Sequence, residues 1–200
     1  RVAMGGSLAR TGLPLAMTSA SYNAANQMTN RAGATRTYDA NGNLTSDGAK
    51  TYAWNARDQM GSMTGASFTY DAAGRRKSKT VGGSTTSYFY DGANPVQEQG
   101  AVSANTLGGL AMDEVYQRTD AAGARSLQTD GLGSVIGLMD AGGSALTQYT
   151  YEPFGASAVA GVGSSNAFGF TGREEDGTGL MYYRARYYSP GLQRFISEDP

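Results

Sequence analysis

The chain has 200 residues, room for one or two domains with a real core, and its 16 basic and 17 acidic side chains leave a net charge of -1. That balance argues against a nucleic-acid or anionic-membrane surface built on bulk charge. Cysteine and histidine are both absent, which removes disulfides, thiol nucleophiles, the commonest zinc ligand and the commonest general base. No cofactor and no metal are expected.

Glycine accounts for 29 residues, about 14% and roughly twice its usual share. Tyrosine contributes 13 aromatic rings against six from phenylalanine and one from tryptophan. Tyrosines punctuated by glycines read as short, half-buried strands and frequent turns, so the expected class is all-β. No apolar run approaches the roughly 20 residues that span a bilayer, and no secretory leader pattern follows Arg1. A start at Arg1 and a stop at Asp199-Pro200 read as a piece of a longer protein, with residues 1–21 as its lead-in.

From Tyr22 the chain repeats itself. Aromatic-then-Asx pairs stand at Tyr22-Asn23, Tyr38-Asp39, Trp54-Asn55, Tyr70-Asp71 and Tyr90-Asp91, opening the phrases YNAANQMT, YDANGNLT, WNARDQMG, YDAAGRRK and YDGANPVQ. Five residues beyond the first four Asx stand Met28, Leu44, Met60 and the divergent Arg76. A period near 16 is too short for a helix pair and suits two strands joined by short turns. Asx side chains can bond backbone amides two residues on and so start such turns. Asn41-Gly42, Asp47-Gly48, Gly82-Gly83 and Gly142-Gly143 tolerate positive φ in tight hairpins. Residues 22–99 therefore read as a ladder of β-hairpins. Residues 100–125 are less regular, and the turn-rich pattern returns in TDGLGSVIGLMDAGG and LTQYTYEPFG.

The densest phrase is FGFTGREEDGTGLMYYRARYYSPGLQRFISEDP, Phe168 to Pro200. With the YD phrases, Thr129–Ser134 and Tyr151–Gly155, it resembles the Rhs (YD-repeat) family and its repeat-associated core, from about Tyr22 onward. Glu152 and Trp54-Asn55 depart slightly from the usual pattern. The resemblance implies part of a spiralling sheet shell, a cocoon around a variable toxin domain that follows the core. It assigns residues 100–200 to the core's C-terminal plug. The implied partners are the chain's own C-terminal toxin domain and a secretion or delivery machinery. A secreted or delivered effector, or a cell-surface protein, is implied as well, with no nucleic acid and no membrane span.

In that family, self-cleavage just beyond the terminal phrase is attributed to paired aspartates, one keeping a proton while the other acts as base. The matching residues are Asp176 and Asp199, with Arg173 or Arg194 orienting them. The alternative makes Asp176-Gly177 a turn and leaves Asp199 to fix Pro200. Arg173, Arg184, Arg186 and Arg194 are expected to pair with carboxylates across strands, Arg184 and Arg186 sharing a face. Tyr182, Tyr183, Tyr187 and Tyr188 are expected to pack between strands. Asp39–Asn43 resembles a calcium loop, but glycine and the terminal acid fall at the wrong positions. Gly131-Leu132-Gly133 lacks the third glycine of a dinucleotide loop. The rival reading is an adhesion or carbohydrate-binding module, since YD repeats also occur in cell-surface proteins such as teneurins. A weaker one makes the region a self-acting protease first and a container second.

Overall fold

The computed structural model describes Pro14 and residues 16–199. Among them the regular structure is strand throughout, apart from one short 3-10 turn at Phe170–Gly172. The largest sheet has twelve antiparallel strands, from Tyr52–Trp54 to Ser157–Gly161, each hydrogen-bonded to its neighbours in the chain. Before it lie a three-stranded sheet (Ala20–Tyr22, Met28–Arg31, Ala34–Thr35) and a two-stranded one (Thr37–Tyr38, Leu44–Ser46). After it comes a four-stranded sheet of Glu174–Glu175, Met181–Tyr183, Arg186–Ser189 and Arg194–Phe195. The expected all-β hairpin ladder is present. Its large sheet runs past residue 100 without a break, and residues 104–108, 115–120 and 123–129 are strands in it. The weaker local pattern there is overridden by pairing on both sides, because strand formation follows neighbours more than intrinsic preference.

One turn recurs. In it the Asx Oδ1 accepts the backbone N–H groups two and four residues on, at 2.8–3.1 Å, for Asn23, Asp39, Asn55, Asp71, Asp130 and Asp140. The residue three beyond must take a left-handed φ. Glycine does so at Gly42, Gly74, Gly133 and Gly143, while Asn26 and Asp58 hold φ at 60° and 54°. The fifth phrase departs. Its glycine follows the aspartate directly, so positive φ falls at Gly92 and Asp91 pairs with Asn94 across a two-residue hairpin.

In five places the aromatic residue that opens the turn, followed by an Asx or by Glu152, ties one hairpin to the one before. Tyr38 Oη donates to the Met28 carbonyl (2.9 Å), Trp54 Nε1 to Leu44 (2.8 Å), and Tyr70 Oη to Met60 (2.9 Å). Tyr90 Oη reaches the Arg76 carbonyl (2.9 Å), and Tyr151 Oη that of Val135 (2.6 Å). Each accepting residue lies five beyond an Asx, and each is no more than 2% exposed. A half-buried ring thus satisfies a carbonyl at the point where the chain enters the core.

Two apolar clusters lie along the covered face. One gathers Leu44, Tyr52, Met60, Met63 and Phe68 with Leu180, Tyr182, Tyr187 and Ile196 of the C-terminal block. The other gathers Leu127, Val135, Leu138, Tyr149 and Phe168. The strands between them in the sheet carry buried Arg76, Thr86, Glu98 and Arg118, so a polar band separates the two. At the far edge of the large sheet, Ser157–Gly161 pairs on one side only and every residue in it is exposed.

Candidate functional site

The polar band is where the C-terminal block is bolted to the ladder. Arg76 occupies the slot filled by Met28, Leu44 and Met60 in the preceding repeats, and its side chain is wholly buried. A guanidinium cannot lose its charge there, so the fold must bring partners to it. They come from about a hundred residues away: Glu174 Oε2 accepts from Arg76 Nη2 at 2.5 Å, and Asp176 accepts from both Arg76 terminal nitrogens. Lys79 Nζ donates to Asp176 Oδ1 at 2.9 Å. The Arg76 guanidinium also stands over the Tyr182 ring at 4.1 Å and the Tyr88 ring at 4.9 Å.

Strand alternation explains the choice of acids. Glu174 and Asp176 point inward, while Glu175 between them turns out and caps the backbone N–H groups of Gly177 and Gly179. Burial would raise the Asp176 carboxyl, but Arg76 and Lys79 outweigh it and hold the group below its ordinary value of 3.8. For Glu174 burial dominates, and the group sits above its ordinary 4.5 despite Arg76. Two nearby carboxylates are thus driven apart in proton affinity around one cation.

A second cluster stands further along the same band. Arg118 meets Glu98 at 3.3 Å, Asp120 at 2.8 Å and Ser165 Oγ at 2.8 Å. At the turn of the C-terminal sheet, Arg184 pairs with Asp113 and with the carbonyl of Ala93, and Arg173 meets Asp113 at 2.7 Å.

The expected site residues fall in different surroundings. Asp176 is sealed in the Arg76 bolt, whereas the Asp199 side chain is 80% exposed and pairs with Arg186 at 3.2 Å. The described contacts give the two aspartates no partner in common. Arg173 binds Asp113 and stands over Tyr183, and Arg194 reaches the Tyr22 hydroxyl at 3.4 Å. The cross-strand pairing expected of the arginines therefore needs correction. Arg173 and Arg184 converge on a loop aspartate, and Arg184 sits at a turn with φ 64°, so it shares no strand face with Arg186. The tyrosines do pack between strands: Tyr182 and Tyr187 are buried with rings 5.2 Å apart, and Tyr183 and Tyr188 meet edge-on. What sequence reasoning missed was the bolt itself. Its signal was there, since a lone arginine in a row of Met, Leu and Met demands a buried counter-charge.

A hairpin meander with recurrent Asx turns, closed by an aromatic sheet bolted to one face, defines an antiparallel β-repeat protein of the shell type. Residues 11–200 match the family described as Teneurin YD-shell, and the chain belongs to that family. It is 34% identical over 196 residues to the tRNA3(Ser)-specific nuclease WapA of Bacillus spizizenii, covering 90% of this chain and 8% of that protein. It is also 36% identical over 97 residues to toxin subunit YenC1 of Yersinia entomophaga, covering 46% of this chain and 9% of the subunit. Among solved structures, the TcdB2-TccC3-Cdc42 complex matches with a TM-score of 0.69 at 19% identity, over 91% of this chain and 12% of that one. The Photorhabdus luminescens Tc holotoxin pore matches with a TM-score of 0.67 at 18% identity. The chain thus spans about a tenth of the proteins it resembles.

Proposed function

We propose that this chain is a wall-and-plug segment of a toxin shell, enclosing a toxin domain that follows it in the parent protein. The observation that carries the reading is the continuous twelve-stranded meander onto whose first strands the following Phe168–Asp199 block, with its own four-stranded sheet, folds back. The likeness to toxin subunits and to WapA supports the same reading. Its partners are then the downstream toxin domain and a delivery machinery, and the parent is a secreted or delivered effector. Among the described residues no helix is long and apolar enough to cross a membrane.

Self-cleavage just beyond residue 200 is the finer proposal, with Asp199 as its acting carboxylate because its side chain is open to solvent and, among the described residues, held only by Arg186. Asp176 would act together with it only if the parent chain brings the two together; otherwise it serves as the bolt's anion. The test is intact-mass analysis of the parent protein beside its Asp199→Asn and Asp176→Asn variants, with limited proteolysis of each. Encapsulation predicts a downstream domain that resists protease until the shell is unfolded. A discrete cut after residue 200 that disappears in Asp199→Asn supports self-cleavage. A downstream domain digested at the rate of the free domain would end the container reading.

A further inference from the structure

The ladder's stacked turns and the C-terminal sheet leave a cleft of about 330 Å³ between them. Its walls are largely apolar, formed by the rings of Tyr90, Tyr182 and Phe168 with Pro95 and three alanines. Four guanidiniums line it from four separate elements: Arg57, Arg75, Arg173 and Arg184. Only two carboxylates face them, Asp113 and Glu174. Asp113 is shared by Arg173 and Arg184, and Glu174 is engaged by Arg76. Including the neighbours that pair with these groups, six cationic side chains meet four carboxylates, because Arg75 holds Asp71 and both Arg76 and Lys79 hold Asp176. The excess is about two positive charges.

Two of these arginines have donors to spare. Arg57 is exposed, and among the described residues its side chain makes no hydrogen bond or ion pair. Arg173 carries a buried Nε without a partner. Three of the four are held in place, Arg75 over the Tyr90 ring at 5.0 Å, Arg173 over Tyr183 at 5.1 Å and Arg184 on Asp113, while Arg57 is free to close on a ligand. Guanidiniums around an apolar floor, most of them fixed, with surplus charge and unused donors, are how small-ligand pockets recognise an anion on an apolar body.

The geometry points to this cleft as a binding site for a carboxylate carried on a flat or apolar group. That chemistry has two sources, a free small-molecule acid or an Asp or Glu side chain from elsewhere in the parent chain. The planar carboxylate is favoured because it matches a guanidinium fork through two parallel N–H donors.

The test titrates benzoate into the 200-residue chain and follows arginine Nε–H and nearby backbone resonances by NMR. Saturable binding on the order of 1 mM or tighter is expected for so small a ligand, with shifts at Arg57, Arg173 and Tyr90. Arg57→Ala, whose side chain supports no contact of the fold, should weaken binding about tenfold. Lys77→Ala, an exposed cation on the adjoining strand, should leave binding unchanged. The same titration on the parent protein separates the sources. Binding that persists there assigns a free acid, and binding present only in the shorter chain assigns a side chain of the parent. No saturable binding to the 200-residue chain, or equal loss in the Lys77 variant, would overturn the proposal.

Discussion

Replacing Arg76 with methionine restores the side chain that the repeat carries at Met28 and Met60, yet it should be among the most damaging single changes in the chain. The arginine is wholly buried and answers two carboxylates, Asp176 with no exposed side chain and Glu174 with 11% exposure. Methionine fits the slot but strands those acids with only Lys79 nearby. Removing one partner of a buried ionic group costs about 3–5 kcal/mol, and the lost contact with the Tyr182 ring lies within that range. At this size each kcal/mol lowers the midpoint by about 2–4 °C, so a drop on the order of 10 °C is expected. The companion variant Arg76→Met/Glu174→Met/Asp176→Leu removes the whole cluster and leaves Lys79 free to reach solvent. Buried ion clusters replaced by apolar side chains of similar volume are commonly neutral or stabilising. The triple variant should therefore recover more than half of the loss. Thermal unfolding followed by far-UV circular dichroism reads the midpoint, and urea denaturation followed by tyrosine fluorescence the free energy, for both variants. A cost below about 1 kcal/mol for Arg76→Met, or a triple variant no better than the single, would refute the bolt.

The two acids of the bolt should leave opposite marks on stability against pH. Asp176 is depressed in the folded state, so its contribution is present above 3.8 and is lost as pH falls further; the gap between the wild type and Asp176→Asn should close at the acid end. Glu174 is raised, so its contribution is full below 4.5 and is lost as pH rises, and Glu174→Gln should gain on the wild type between pH 4 and pH 7. An unchanging difference across that window would refute the assignment. In the turns, Asp130→Ala removes the acceptor of two backbone amides and should cost about 1–2 kcal/mol, whereas Asp130→Asn keeps the bonds and should cost much less. The open edge at Ser157–Gly161 should make the chain associate at micromolar concentration. Val159→Lys, at a position 58% exposed, should shift sedimentation toward the monomer, and a wild-type chain already monomeric there would count against edge pairing.

Much of the local structure was legible because its causes are local. The Asx of each phrase and the left-handed residue three beyond it close the turn using atoms within five residues, so the phrases alone specify the hairpins at Asn23, Asp39, Asn55 and Asp71. Asp91 shows the limit of that reading, since moving glycine next to the aspartate changes which residue accepts positive φ and hence the turn. The strands between residues 104 and 129 were faint because sheet pairing, not their own pattern, holds them extended. The aromatic rungs were visible as letters, but the bond from Tyr70 to the Met60 carbonyl depends on how one hairpin lies on the next.

By itself, then, the sequence determined an all-β chain of hairpins and its turn positions, because hydrogen bonds between near neighbours repeat whenever the phrase repeats; the kinship with shell-forming repeats rested on the resemblance of the phrases themselves. Only the tertiary structure decided which charges meet. Arg76 finds Glu174 and Asp176 across about a hundred residues, while Asp199 remains at the surface with Arg186. A buried charge accepts whichever counter-charge the docking of distant strands presents, and no spacing along the chain encodes that choice.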